Sequence, residues 1–125
     1  MREVDWQRYY PVFQPHEFEC KCGCGLLNMQ YDHIEMLYQA RMLSGIPFLI
    51  SSGSRCPVHN KNEGGTVSSD HLGGYGTDVR VNASRTRFII LGNFLRVGFN
   101  RIGVARNFLH AGNDPDNPTR VMWLY

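Results

Sequence analysis

Apolar residues recur at helical spacing from about Tyr31, where Ile34, Leu37, Ala40 and Leu43 fall near one face, and Gly45 followed by Pro47 marks the stop. The next segment, PFLISS (47–52), is short, apolar and bounded by breakers, which predicts a buried strand. Residues 52–76, SGSRCPVHNKNEGGTVSSDHLGGYG, show little regular pattern, and a loop that long inside a small domain is usually functional. TDVRV (77–81) reads as a strand. Ser84 is placed to cap a second helix carrying Phe88, Leu91 and Leu95 and ended by Gly98. RIGVAR (101–106) and NFLHAG (107–112) predict successive strands, and RVMWLY (120–125) a closing one after the turn NDPDNP. The first 27 residues, rich in aromatics, Pro, Gly and Cys, predict an irregular strap with short extended pieces. The order predicts an α+β domain with a mainly antiparallel sheet and two main helices.

Composition narrows the class. The 125 residues hold no repeat or linker, so residues 1–125 are read as one domain around one core. Hydrophobic residues at 42% and charged residues at 19% describe a globular chain rather than a disordered one. A net charge of +2, with 13 scattered Lys and Arg, gives no argument for a nucleic-acid partner. No apolar stretch approaches membrane-spanning length, and the opening MREVDWQRYY is not a signal peptide. The expectation is synthesis in the cytoplasm, or trimming before study.

The four cysteines are unevenly placed: Cys20, Cys22 and Cys24 in ECKCGCG, then Cys56 in SRCP. Without an export signal a disulfide framework is not the first expectation, and spacing at every second position differs from C-x-x-C zinc ribbons. In an extended segment the three thiols would point to one side. Reduced buried thiols are the leading expectation; a bridge from Cys56 to one of the three, or a four-thiolate metal site, stays open.

Ionisable residues collect where strands leave the long loop. His71 precedes the glycine-rich turn, Asp78 opens the strand after it, and His110 ends NFLHAG. Two imidazoles and a carboxylate form a common ligand set for catalytic zinc, with a fourth position left for water. By spacing alone the plain alternative stands beside it: His71 caps a turn and Asp78 caps a strand.

SSGSRCPVHN, then GG, SDHLGGYGTDV and FLH resemble the zinc D-alanyl-D-alanine peptidase family, peptidase family M15. Its members, carboxypeptidases and phage or bacterial endopeptidases, cut peptidoglycan stem peptides. Ser52, Gly53 and Arg55 match the family's S-G-x-R element. Ser69, His71, Gly74 and Asp78 match S-x-H-x-x-G-x-A-x-D, with Gly76 where alanine is usual, and Phe108, Leu109 and His110 match the final strand. CKCGCG and VMWLY are similar to a compact, phage-type branch. The resemblance implies a hedgehog/DD-peptidase-like fold and one Zn2+ held by His71, Asp78 and His110. It places Arg55 as the substrate arginine, able to steady a carboxylate or a developing oxyanion. The alternative for Arg55 is an ion pair that holds the loop. Ser69 is a candidate for substrate or loop hydrogen bonding. His59 is read as structural, His16 and His33 receive no role, and Trp123 and Tyr75 are candidates for the cleft wall.

The sequence departs from the family at the proton acceptor. Some relatives carry a Glu three residues before the last histidine, here Asn107; others carry an Asp two residues after it, here Gly112. The nearest carboxylates are Asp70, Asp114 and Asp116, and Asp114 is the favoured substitute. The implied function is a zinc-dependent peptidase acting on peptidoglycan in the bacterial cell wall, endolysin-like or wall-remodelling, with an endopeptidase preferred. A non-catalytic zinc-binding wall-recognition domain is the alternative. A cysteine-ligated metal module for nucleic acid or protein comes third.

Overall fold

A computed structural model describes residues 2–125. Four helices, α1 (Trp6–Tyr9), α2 (Tyr31–Ser44), α3 (Pro57–Asn62) and α4 (Ser84–Val97), accompany five strands. The strands are β1 (Ile50–Ser52), β2 (Gly76–Arg80), β3 (Arg101–Val104), β4 (Phe108–Gly112) and β5 (Val121–Leu124). They form one sheet in the order β1-β2-β4-β3-β5. The fold is α+β, as expected. Three of the pairings are antiparallel and β3–β5 is parallel, so the sheet is mixed. Among the described residues no helix is long and apolar enough to cross a membrane.

Helix α2 ends at Gly45 and α4 at Gly98, both in left-handed conformation, as the sequence signals predict. The buried faces need correction. On α2, His33, Ile34, Leu37 and Ala40 are buried while Leu43 is 49% exposed. On α4, Ile90 and Phe94 are buried, whereas Phe88 and Leu95 are 81% and 52% exposed. Phe88 to Leu91 are all apolar, so periodicity alone does not select a face. Packing of Phe94 against Phe48 and Phe99, with ring centroids 5.9 and 5.4 Å apart, does. Ser84 is the first helical residue and Ala83 takes the cap position without a side-chain bond.

The N-terminal strap contains α1 and a 3₁₀ turn at Pro15–Glu17 in place of extended pieces. It closes one end of the core with Tyr9, Phe13 and Phe18. Full burial of such side chains contributes about 1.5–3 kcal/mol each. Only Ile50–Ser52 of PFLISS pairs as strand. The long loop is partly regular: α3 starts with Pro57 at its first turn, and a 3₁₀ turn spans Asp70–Gly73.

The β2–β4 register places the functional residues. Asp78 lies opposite His110, flanked by the pairs Thr77–Ala111 and Val79–Leu109. Side chains alternate across a sheet, so Val79, Leu109 and Ala111 enter the core while Asp78 and His110 face the other side. Thr77, on the core side, meets His33. The His33 Nδ1–H donates to Asn113 Oδ1 at 2.7 Å, leaving Nε2 to accept from the Thr77 hydroxyl at 2.7 Å. His33, given no role above, is thus a buried structural residue, and burial pushes its pKa down to about 4.

Candidate metal centre

His71 sits in the 3₁₀ turn Asp70–Gly73, which Ser69 opens by accepting the His71 N–H at 3.3 Å. The turn lies flat against the segment before α2 because residue 74 has no side chain. A Cβ there would come within 2.0 Å of the Asn28 carbonyl oxygen, and Gly74 has φ of +81°. The glycines between His71 and Asp78 thus fold the chain back onto its neighbour.

The structure brings His71, Asp78 and His110 together. One ligand atom from each lies within 4.8 Å of the others, and all three residues are buried. Asp78 Oδ1 is 3.3 Å from His71 Nε2 and 2.9 Å from His110 Nδ1. The outer nitrogens have their own partners. His71 Nδ1 contacts the Gly53 carbonyl at 2.8 Å, and His110 Nε2 contacts Asp70 Oδ2 at 2.9 Å. A carbonyl and a carboxylate accept only, so each outer nitrogen carries the proton. The inner nitrogens face Asp78 Oδ1, each giving it a hydrogen bond when the imidazole is charged and presenting a lone pair when it is neutral. With both imidazoles neutral, three acceptors facing one point need a cation between them. This donor set fits a divalent ion of zinc's type.

The electrostatics agree with a site built for positive charge. Burial raises the Asp78 carboxyl, but hydrogen bonds from His110 and His71 outweigh it and hold it well below the usual carboxylate range. Burial opposes a charge on His110, but the carboxylates of Asp70 and Asp78 overcome it and raise its pKa to about 8. Burial lowers the pKa of His71, with Asp78 opposing in part.

Arg55 contacts Asp78 Oδ2 at 3.2 Å through Nη2 and Ser52 Oγ at 3.0 Å through Nε. It thereby occupies the carboxylate oxygen that does not face the histidines. Asp70 is the residue whose weight the sequence reading missed. Besides His110, it binds Arg101 Nε with both oxygens, at 2.9 and 3.2 Å. Its neighbour His71 was the one signal available; nothing local marks Arg101, 31 positions away.

The centre lies in a cleft of ≈ 680 Å³ that also takes in Ser69, Arg55, Glu63, Arg101 and Trp123. The Trp123 ring stands 5.4 Å from that of His110. Tyr75, the other proposed wall residue, is not among the residues lining the cleft. Nor is Asp114. Its Oδ1 accepts the Asp116 N–H at 2.9 Å, closing the turn, and its own N–H faces Asp70 Oδ1 at 3.4 Å. Asn107 lies just before β4, where its carbonyl accepts the Val81 N–H. His59 lines the cleft, 3.9 Å from Glu63.

Residues 11–111 match the family model described as Peptidase M15. No curated protein matches the chain.

Proposed function

The chain belongs to the peptidase M15 family, and on that premise we propose that it hydrolyses stem peptides of bacterial peptidoglycan. The observation that carries this reading is the convergence of His71 Nε2, Asp78 Oδ1 and His110 Nδ1 in an open cleft, each fixed from behind by a second partner. One Zn2+ is the ion proposed for these ligands; when bound, it supplies Lewis acidity toward an amide carbonyl and toward water.

The remaining roles belong to the chain. Arg55 is held by Ser52 and Asp78, while its Nη1 has only a 3.5 Å contact with Asn60. That nitrogen is the donor proposed to meet the oxygen that gains charge as the amide is attacked. Asp70 keeps His110 in the required tautomer and orientation. The Ser69 oxygen accepts from the backbone of His71, which leaves its hydroxyl proton for a substrate carbonyl.

Among the described residues, three carboxylates line the cleft: Glu63, Asp70 and Asp78. Asp78 is itself a proposed ligand and faces His71, His110 and Arg55, and both oxygens of Asp70 are occupied. Glu63 therefore replaces Asp114 as the proposed proton carrier.

An endopeptidase is the preferred form. Recognition of a terminal D-alanine calls for a cation beside the proposed ligands to bind its carboxylate, yet the two arginines that touch the carboxylates of the centre, Arg55 and Arg101, are each paired with one, and Lys21 and Arg80, which also line the cleft, touch neither. The site of action proposed is the bacterial cell wall, in phage-type lysis or in remodelling. A non-catalytic wall-binding domain is the second reading, favoured by Asn107 and Gly112 where relatives carry carboxylates.

Incubation of zinc-loaded protein with purified cell walls, followed by mass spectrometry of the muropeptides, tests these readings. New amino termini within the stem are expected. Free D-alanine would make the protein a carboxypeptidase. Sedimentation with the wall and no product would select the binding domain, and neither product nor sedimentation would remove peptidoglycan as the target.

A further inference from the structure

The four cysteines form a second cluster that shares no residue with the His71, Asp78 and His110 centre. The ECKCGCG segment is not the extended one in which alternate thiols would share a side. It makes a tight turn, with the Cys20 N–H donating to the Leu26 carbonyl at 2.9 Å and Gly23 and Gly25 both at positive φ. The turn points three thiols at the one thiol that follows Arg55.

All four cysteines are free. One Sγ from each lies within 4.8 Å of the others, with Cys20–Cys22 at 3.4 Å and Cys22–Cys56 at 3.7 Å. A disulfide would need about 2.05 Å. Four sulfurs placed tetrahedrally about 2.3 Å from a zinc ion would stand about 3.8 Å from one another. The observed separations are thus near the edges of a metal–sulfur tetrahedron. Backbone N–H groups also point at the sulfurs: Cys56 N–H at Cys20 Sγ and His59 N–H at Cys56 Sγ, both at 3.4 Å. Such donors stabilise thiolate charge. Cys20 is buried while Cys22 and Cys24 are exposed, which leaves a path for an ion to enter.

We propose that Cys20, Cys22, Cys24 and Cys56 bind a second divalent ion with affinity for thiolates, zinc above all, in a closed structural site. Four sulfurs complete a tetrahedral shell and leave no position for substrate, so the ion acts as a cross-link. What it links is specific. The strap and the Ser52–Cys56 segment already touch, through Ser54 N–H to the Phe18 carbonyl at 2.9 Å and Asn28 N–H to Ser54 Oγ at 3.0 Å. That segment carries the Gly53 carbonyl that orients His71, and Arg55 that holds Asp78. The thiolate site thus fixes two outer supports of the first centre without contacting substrate.

Cobalt replacement of the metal in the full chain, purified under reducing conditions, tests this directly. His71, Asp78 and His110 offer no sulfur, so any sulfur-to-cobalt charge-transfer absorption in the wild type must arise from the cysteines. The wild type is expected to take up two ions per chain and to show that absorption. His71→Ala is expected to keep one ion and the same absorption. Cys22→Ser/Cys24→Ser is expected to lose the absorption and retain one ion at the histidine centre. A wild-type protein whose cobalt spectrum lacks sulfur charge transfer, or whose intact mass after reducing purification shows cysteines still joined in disulfides, would overturn the proposal. If the cysteine variant does not fold, the wild-type spectrum still decides. The result does not depend on wall hydrolysis, since a wild type without activity gives the same spectrum.

Discussion

The Asp70 carboxylate occupies the space that a side chain on residue 112 would fill: a Cβ on Gly112 would lie 2.6 Å from Asp70 Oδ2 and 2.7 Å from its Cγ. The relatives that this chain resembles include some with an aspartate two residues after the last histidine. Here that position is empty, and a carboxylate arrives from the neighbouring turn to meet His110 Nε2. Gly112→Ala is therefore expected to destabilise the protein by about 1–3 kcal/mol through overpacking. Asp70→Gly combined with Gly112→Asp is expected to bind zinc more tightly than Asp70→Gly alone. Urea denaturation and competition titration with a zinc chelator measure both; additive effects in the double variant would mean the two positions do not share one space.

The three acidic candidates separate by what each variant loses. Asp70→Asn is expected to weaken zinc binding about 10–100-fold, because an amide does not reproduce the carboxylate behind His110. Glu63→Gln is expected to keep zinc affinity and reduce hydrolysis of cell-wall peptides about 10²-fold or more. Asp114→Asn is expected to leave both close to wild type. Full hydrolysis by Glu63→Gln would send the search for the proton carrier elsewhere.

Arg55 contributes a planar fork, not merely a charge. Arg55→Ala is expected to lower kcat/KM about 10²–10³-fold. Lysine should not restore it, since one ammonium cannot reach Ser52 Oγ and Asp78 Oδ2 in the same geometry while leaving a donor for substrate. Steady-state kinetics of Arg55→Lys within a few-fold of wild type would refute the fork.

His33 makes stability depend on pH independently of catalysis. Its folded pKa is about 4 against an ordinary 6.5, because burial disfavours the imidazolium. As pH falls below about 6.5 the unfolded chain gains a proton that the folded chain refuses, so stability declines until about pH 4, by up to about 1.4 kcal/mol per pH unit. His33→Gln removes this component. The difference in urea midpoint between wild type and variant should therefore change sharply between pH 7 and pH 5. A difference that stays constant over that range would show that His33 is not held neutral.

The legible parts of the sequence were those where a single local rule acts. Tyr31–Ser44, with its glycine stop, and the strands bearing Asp78 and His110 follow from periodicity and breakers. The motif around His71 singled out His71, Asp78 and His110, which the structure brings together. What stayed hidden depends on contacts between distant segments. The buried face of α4 is chosen by Phe48 and Phe99, not by its own spacing. Ile90→Ala is accordingly expected to cost about 2–5 kcal/mol in chemical denaturation, and Phe88→Ser less than about 0.5 kcal/mol. The Asp70–Arg101 pair joins a loop to a strand, and the parallel docking of β5 on β3 brings Trp123 beside His110; neither has a local signature.

The pairing of Asp78 with His110 across β2 and β4 ties chemistry to proofreading. Because strand side chains alternate, a slip of β4 by one residue would drive His110 inward and turn Leu109 out to water. The same alignment that seals Val79 and Leu109 away from solvent also brings Asp78 and His110 into the cluster proposed to hold the ion. A chain that collapsed out of register would lose this cluster, so an ion bound there would report only the molecules whose strands have found their true alignment.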